Sequence, residues 1–399
     1  MWTRIARFGA DERGASAMIF ALIAVAVLAL AGVAIDLQRG FSADARLQSA
    51  IDASALAGAK SLEDSSLSDA DIKLAVQNAF AANIDAGPDA LDCDAPGVLI
   101  DRTNGTVRVN ANCDLPTTIA SLTKVDKVSM SNESSARAAM TKLDVALMLD
   151  VSGSMKGEKL EDLKVAASDA IDILITQRTG DRVRVGFNAY SDSVNAGSYA
   201  DAVMDRPRWA RPTVCVSERK GAAAWKDDAP GNNKWIGSAA SSCPSTPVEP
   251  LSSNASVLKG KIDKLRANGS TAGHIGVAWA WYLISPAWKD IWPAASAPRA
   301  YDEPQSKKAV ILMTDGEFNT EYERWQGNSK QQAKKLCGRM RDEGILVYAI
   351  AFDVRSSAKR VLEDCAGEKS RFFDAKNGDE LKSAYRSIAS QLTNLALTE

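Results

Sequence analysis

The hydrophobic pattern opens with an uninterrupted run, MIFALIAVAVLALAGVAI, from Met18 to Ile35, without a single charge. Wound as a helix it reaches about 27 Å, enough to cross the hydrocarbon core of a bilayer. Arg4, Arg7 and Arg13 precede it, which favours a cytoplasmic N-terminus, although Arg39 and Arg46 follow. A cleaved signal peptide is the rival, with Gly32-Val33-Ala34 as a small-residue cleavage site. The run exceeds the roughly 7–15 residues of a signal core, so a retained anchor over 14–36 is the reading adopted, after a cytoplasmic stretch 1–13. Apolar residues then recur at helical spacing, at Leu37, Phe41, Ala45, Ile51, Ala55 and Ala59, and predict one long helix from the membrane to about Lys60.

Residues 37–142 predict that helix together with a small α+β domain. SLSDADIKLAVQNAFAANI is a helix with Ser68 as its N-cap. GVLIDRTNGTVRVNANC is a hairpin with Asn104-Gly105 in the turn, and KVDKVSMSNESSARA offers a third strand. From Leu143 the period changes. Strands LDVALMLD, DRVRVGFNAYSD, KKAVILMTDGE, ILVYAIAFD and RFFDA alternate with amphipathic helices, one of them closed by Gly344. This alternation predicts an α/β domain over 143–399, a doubly wound and mostly parallel sheet with helices on both faces. The stretch from about 190 to 254, rich in Pro, Gly, Ser and Trp, breaks the alternation and is expected to be a long inserted loop.

Composition narrows the function classes. The chain has 399 residues and a net charge of −2, with no basic stripe interleaved with aromatics, so a nucleic-acid partner is not expected. Six cysteines and one histidine, without a C-x-x-C pair, argue against a zinc site. All six follow the apolar run, which suits an oxidising compartment and disulfides. Cys93 and Cys113 flank the hairpin, Cys215 and Cys243 bracket the insertion, and Cys337 and Cys365 lie on two late helices. These are the expected pairs among 15 possible connectivities. Buried, reduced cysteines remain the alternative.

In open α/β sheets ligands sit at the carboxyl ends of strands. Here LDVSGSM ends one strand with Asp150, Ser152 and Ser154, and LMTDG ends another with Thr314 and Asp315. Between them NGSTAGHIG presents Thr271 just before a helix. Asp150, Ser152, Ser154, Thr271 and Asp315 are hard oxygen donors, suited to Mg²⁺ or Mn²⁺ with a coordination position left open. A serine hydrolase fits poorly, because the serines are not in G-x-S-x-G and His274 opens a helix. A dinucleotide site would need G-x-G-x-x-G, which SGSMKG does not match. His274 is expected to be structural, and Trp279, Trp281 and Trp288 to be core. Trp209, Trp225 and Trp235 are either partner anchors or packing for the inserted loop.

The three segments DVALMLDVSGSM, NGSTAGHIGVAW and AVILMTDG resemble the metal-ion-dependent adhesion site of von Willebrand factor type A domains. The resemblance implies that Ser152, Ser154 and Thr271 ligate through hydroxyls, and that Asp150 and Asp315 act directly or through water. It implies a Rossmann-like fold and a non-enzymatic role, in which an Asp or Glu carboxylate of a partner protein completes the coordination. The N-terminal stretch RGASAMIFALIAVAVLALAGVAIDLQRGFSADARLQSAIDASALAGAK resembles TadG-like Flp (tight adherence) pilus assembly proteins. Related pseudopilins are cleaved after a Gly that Glu follows five residues later; five residues after Gly14 stands Ile19, so a retained anchor is expected. Together these imply a single-pass inner-membrane protein with its bulk in the periplasm or envelope, binding pilus assembly components through the metal. The alternative is a structural envelope anchor or pilus-associated subunit in which the metal only stabilises the fold.

Overall fold

The computed structural model describes residues 13–398 except 86–89, 103, 139–140, 206–211 and 240–242. Trp209 therefore lies outside the described residues. The chain divides into two compact units, Met1–Ala138 and Ala139–Glu399.

The first unit is organised by one helix of 50 residues, α1 (Arg13–Leu62). Helix α2 (Asp69–Ile84) starts at a full capping box between Ser68 and Asp71 and packs Ile72, Val76 and Phe80 inward. Strands β1 (Asp92–Cys93), β2 (Gly97–Asp101), β3 (Thr106–Pro116) and β4 (Lys127–Arg137) form an antiparallel sheet with β3 at its centre. Along β3 every second side chain is buried: Val107, Val109, Ala111, Cys113 and Leu115. That period of two turns one face of the sheet toward the helices. Asn104 and Gly105 lie between the paired residues Asp101 and Thr106, and Gly105 has φ 66°. β4 pairs with β3 along its whole length.

The predicted apolar stripe on α1 is correct only in its second half. Ile51, Ala55 and Ala59 are buried with Leu47, Ala50 and Leu62, whereas Leu37 and Phe41 are 57% and 64% exposed and Ala45 is exposed. Leu37 and Ala55 are 18 residues apart, about five whole turns, so they share a helical face, and the two triplets differ in their level along α1. The buried face begins instead at Ala43 and Leu47.

The second unit contains a nine-stranded sheet. In chain order its elements are β5 (Lys142–Asp150), α3 (Glu158–Leu174), β6 (Val183–Tyr190), β7 (Val194–Asn195), α4 (Ala200–Val203), β8 (Cys215–Arg219), β9 (Ile236–Ser238), β10 (Glu249–Ser252), α5 (Ala255–Ile262), α6 (Gly273–Ile284), β11 (Ser306–Thr314), α7 (Ser329–Asp342), β12 (Leu346–Phe352), α8 (Ser356–Ala366), β13 (Phe372–Ala375) and α9 (Gly378–Thr398). Strand order is β13-β12-β11-β5-β6-β7-β8-β9, with β10 paired to β6. The five strands β13, β12, β11, β5 and β6 run parallel. On β5, Leu143, Val145, Leu147 and Leu149 join a core with α3 and α9, while Ala146 and Met148 join another with α6 and α7. Both faces are covered, which is why the parallel strands read as continuous apolar runs. This is the expected doubly wound α/β fold, preceded by a long apolar helix and a small α+β unit.

The stretch expected to be a long inserted loop is irregular over most of its described residues but contributes four short strands to the sheet. β7, β8 and β9 extend the sheet antiparallel beyond β6, and β10 returns to β6. These strands have two to five residues, too short for a periodic signal, and Pro and Gly between them read as loop. Trp225 and Trp235 are half-buried, and Lys335 lies 4.0 Å from the Trp225 ring centroid. Trp279, Trp281 and Trp288 are buried. Three disulfides join Cys93 to Cys113, Cys215 to Cys243 and Cys337 to Cys365.

Candidate metal and adhesion site

The chain passes from β5 to β6 on one side and later returns to β11 on the other, so the order reverses between β5 and β11. At such a switch point the loops leaving the carboxyl ends diverge and leave a crevice. Asp150 ends β5, and Asp315 follows Thr314 at the end of β11. The strands thus bring together residues more than 160 positions apart.

The contacts form a chain of oxygens. The Ser152 amide donates to Asp150 Oδ1 at 2.8 Å, and the Thr314 and Tyr190 hydroxyls donate to Asp150 Oδ2 at 2.6 and 3.1 Å. Ser152 Oγ and Ser154 Oγ are 3.0 Å apart, and Ser154 Oγ donates to Asp315 Oδ1 at 2.6 Å. Thr271 reaches the same place from the third loop. A Cβ added to Gly316 would stand 3.0 Å from Thr271 Oγ1 and 3.5 Å from Ser154 Oγ. The Thr271 loop is held by Gly153 N donating to Gly269 O at 2.8 Å and by Thr271 N donating to Asn319 Oδ1 at 3.1 Å. A Cβ on Gly153 would meet Gly269 O at 3.1 Å, so the glycine permits this close approach.

Burial sets the electrostatics. Asp150, Ser152, Thr271 and Asp315 are buried, while Ser154 is exposed and forms the mouth of the site. Burial pushes the Asp150 carboxyl up to about 6, the Asp315 charge adds to the rise, and hydrogen bonds from Thr314 and Ser152 oppose it. Two carboxylates facing a cluster of hydroxyls create a demand for positive charge. Lys159, on α3, supplies part of it: its Nζ lies 3.2 Å from Asp315 Oδ2 and 3.1 Å from Asp353 Oδ2. Lys159, Asp353, Tyr190 and Asn319 were not among the residues singled out from sequence. Glu158 and Glu161 nearby give Lys159 the look of an ordinary surface helix position, and only the fold places it beside Asp315.

Among the described residues no three His, Cys, Asp or Glu side chains gather as a metal cage. The site's donors are mainly neutral hydroxyls, and all of them are hard oxygens, so Ser152, Ser154, Thr271, Asp150 and Asp315 fit a small divalent cation. Beside the site a groove of about 1450 Å³ runs past Ser191 and Asn268, its lining of mixed charge, with Lys156, Lys264 and Arg266 beside Asp263 and the ion pairs Lys261–Glu249 and Lys164–Glu161. His274 is buried, 2.8 Å from Ser329 Oγ and 3.4 Å from Glu218 Oε1, away from the oxygen chain.

Residues 14–61 match the family model described as Putative Flp pilus-assembly TadE/G-like. That segment is TadE/G-like. It covers α1 almost end to end. An apolar window of α1 is long enough to cross a membrane and only 11% buried, unlike the core helix of a soluble domain. The comparison with curated proteins finds no match. Similar solved structures include the vWF domain of the type V pili tip protein Mfa5 from Porphyromonas gingivalis, at 12% identity and TM-score 0.42, covering 65% of this chain and 97% of that one. The pilus adhesin SpaC of Lactobacillus rhamnosus GG is similar at 12% identity and TM-score 0.41, covering 77% of this chain and 34% of that one. Proximal thread matrix protein 1 from the mussel byssus, with a zinc-occupied MIDAS motif, is similar at 16% identity and TM-score 0.37, covering 64% and 48%. None of these weak likenesses bears on the assignment of residues.

Proposed function

We propose that the chain is a single-pass membrane protein of the Flp pilus system that binds a partner protein through a divalent cation, and that it is not an enzyme. The observation that carries this reading is the oxygen chain Asp150–Ser152–Ser154–Asp315 at the sheet's switch point, with Thr271 beside it. Ser152, Ser154 and Thr271 would hold Mg²⁺ or Mn²⁺, with Asp150 and Asp315 balancing its charge. The bound ion would supply an electrophilic centre for an Asp or Glu carboxylate of the partner, presented at the exposed Ser154. The TadE/G-like segment supports a partner among pilus assembly components, and the apolar helix with arginines before it supports an inner-membrane anchor with a cytoplasmic N-terminus.

The test is capture of partners from envelope membranes by the full chain, with Mg²⁺, with EDTA, and with Asp150→Ala. Thermal melts of each sample establish folding. The reading expects capture only with the metal and the intact carboxylate. Equal recovery of the same partners in EDTA, or by a folded Asp150→Ala chain, overturns it in favour of a structural anchor.

A further inference from the structure

The apolar run of α1 ends at Asp36, yet this carboxylate does not face water: it is 6% exposed. The loop between β3 and β4 covers it. Asp36 Oδ2 accepts the amides of Ile119 and Ala120, both at 2.8 Å, and Oδ1 accepts the Thr118 hydroxyl at 2.6 Å and the Thr118 amide at 3.2 Å. Arg39 closes the arrangement, with Nη1 3.3 Å from Asp36 Oδ1 and 2.7 Å from Thr118 Oγ1. One turn earlier stands Gly32, within the uncharged run. A Cβ there would fall 2.5 Å from both Cδ1 and Cγ2 of Ile119, so the isoleucine fills the notch the glycine leaves. Four residues of helix place that notch about 6 Å inside Asp36.

The loop has the chemistry of a segment at membrane depth. Residues 117–123 of the loop, TTIASLT, carry no charge, and the exposed Lys124 and Asp126 follow them before β4. Irregular backbone is tolerated near hydrocarbon only where its amides are satisfied internally, and Asp36 satisfies three in succession. Beyond Asp36 the exposed Leu37 and Phe41 continue the apolar surface of α1 by more than a turn. The level of the loop is thus bounded by apolar side chains on both sides, with Arg39 and Lys124 long enough to reach headgroups.

We propose that the β3–β4 loop is a second membrane contact, seated in the lipid interface where α1 emerges, with Ile119 level with the last turn of the anchor. The occupant of this surface is lipid. The contact would fix the height and rotation of the first unit on the bilayer, which a helix alone leaves free. The proposal rests on α1 being a retained anchor.

The experiment uses the full chain in phosphatidylcholine vesicles. The six cysteines are all in disulfides, so one added cysteine can carry an environment-sensitive nitrobenzoxadiazole label. Labels are placed at Ile119→Cys, at Ser121→Cys with Ile119 intact, at Ile23→Cys within the run, and at Leu99→Cys. Leu99 is 67% exposed and pairs with Arg108, eight residues from the loop end of β3, about 27 Å away. Lipids with a nitroxide at a shallow acyl position are expected to cause loss of fluorescence at Ile119 or Ser121 and at Ile23, and none at Leu99. Quenching at Ile23 with neither loop label quenched overturns the loop contact alone. No quenching at Ile23 overturns the anchor reading itself. Quenching at Leu99 as strong as at the loop shows the whole unit lying on the bilayer and overturns the specific role of the loop.

Discussion

Lys159 is where the proposed metal affinity can be put to a quantitative test. Its ammonium lies between Asp315 and Asp353 and over the Phe352 ring, 5.5 Å from the centroid. The Asp315 side chain has no exposed surface, whereas Lys159 is about a third exposed. A divalent cation bound by Ser152, Ser154 and Thr271 has to share Asp315 with an ammonium already in place. A partly exposed pair of this kind is worth up to about 1 kcal/mol, because water screens the lysine. Lys159→Met removes the competing charge while its thioether chain keeps the packing on Phe352. The released Asp353 is 58% exposed and meets water instead. Binding of Mg²⁺ should therefore tighten by about fivefold, since 1.4 kcal/mol corresponds to roughly tenfold. Isothermal titration of Mg²⁺ into the full chain in detergent reads the ratio directly, and Lys159→Arg should leave it near one. An unchanged or weakened affinity in Lys159→Met would refute the competition argument and make Lys159 a support for Asp315. Absence of binding heat in the wild-type chain as well would remove the metal reading altogether.

Three further outcomes follow from other parts of the fold. Asp144 is fully buried and receives Arg184, Arg299 and Lys308, so Asp144→Ala strands three cations and should cost about 3–5 kcal/mol, read as a lowered denaturation midpoint. Replacing Cys337 and Cys365 together by serine releases a loop with a sequence separation of 28 and should cost about 3–4 kcal/mol on chain-entropy grounds, read by urea unfolding of the purified chain. Burial raises the Glu218 carboxyl, but His274 and the amides of Glu323 and of Glu218 itself outweigh it and hold the group at about 2, below its usual 4.5. A depressed carboxylate contributes stability above its unfolded value and loses it as pH falls, here from about 4.5 toward about 2. The stability gap between wild type and Glu218→Gln should therefore shrink across that window in acid melts; a constant gap would contradict the ionic role.

Much of the α/β unit is legible in the chain because buried parallel strands are written as continuous apolar runs. LDVALMLD, AVILMT and ILVYAIAF could hardly be anything else, and the oxygen-bearing residues stand where each of the first two runs stops. The short strands β7–β10 are not legible in this way. They owe their conformation to pairing with β6 and with one another, and two to five residues carry no period of their own. The α1 stripe fails for a related reason. Leu37 and Phe41 are spaced for a buried face, but nothing within the unit covers that face at their level, and spacing alone does not say which part of a long helix meets a partner.

The amino-acid order alone determined the apolar run, the alternation of strands and helices, and the three polar segments with their hydroxyls and carboxylates, because each is a local pattern a few residues to one element long. Only the tertiary structure decided that Asp150 and Asp315 lie at one switch point, that Lys159 sits between Asp315 and Asp353, and that Asp36 and Gly32 receive the loop around Ile119. Those relations join residues about 80 to 200 positions apart, and distance along the chain carries no information about which side chains a folded sheet and a packed helix bring face to face.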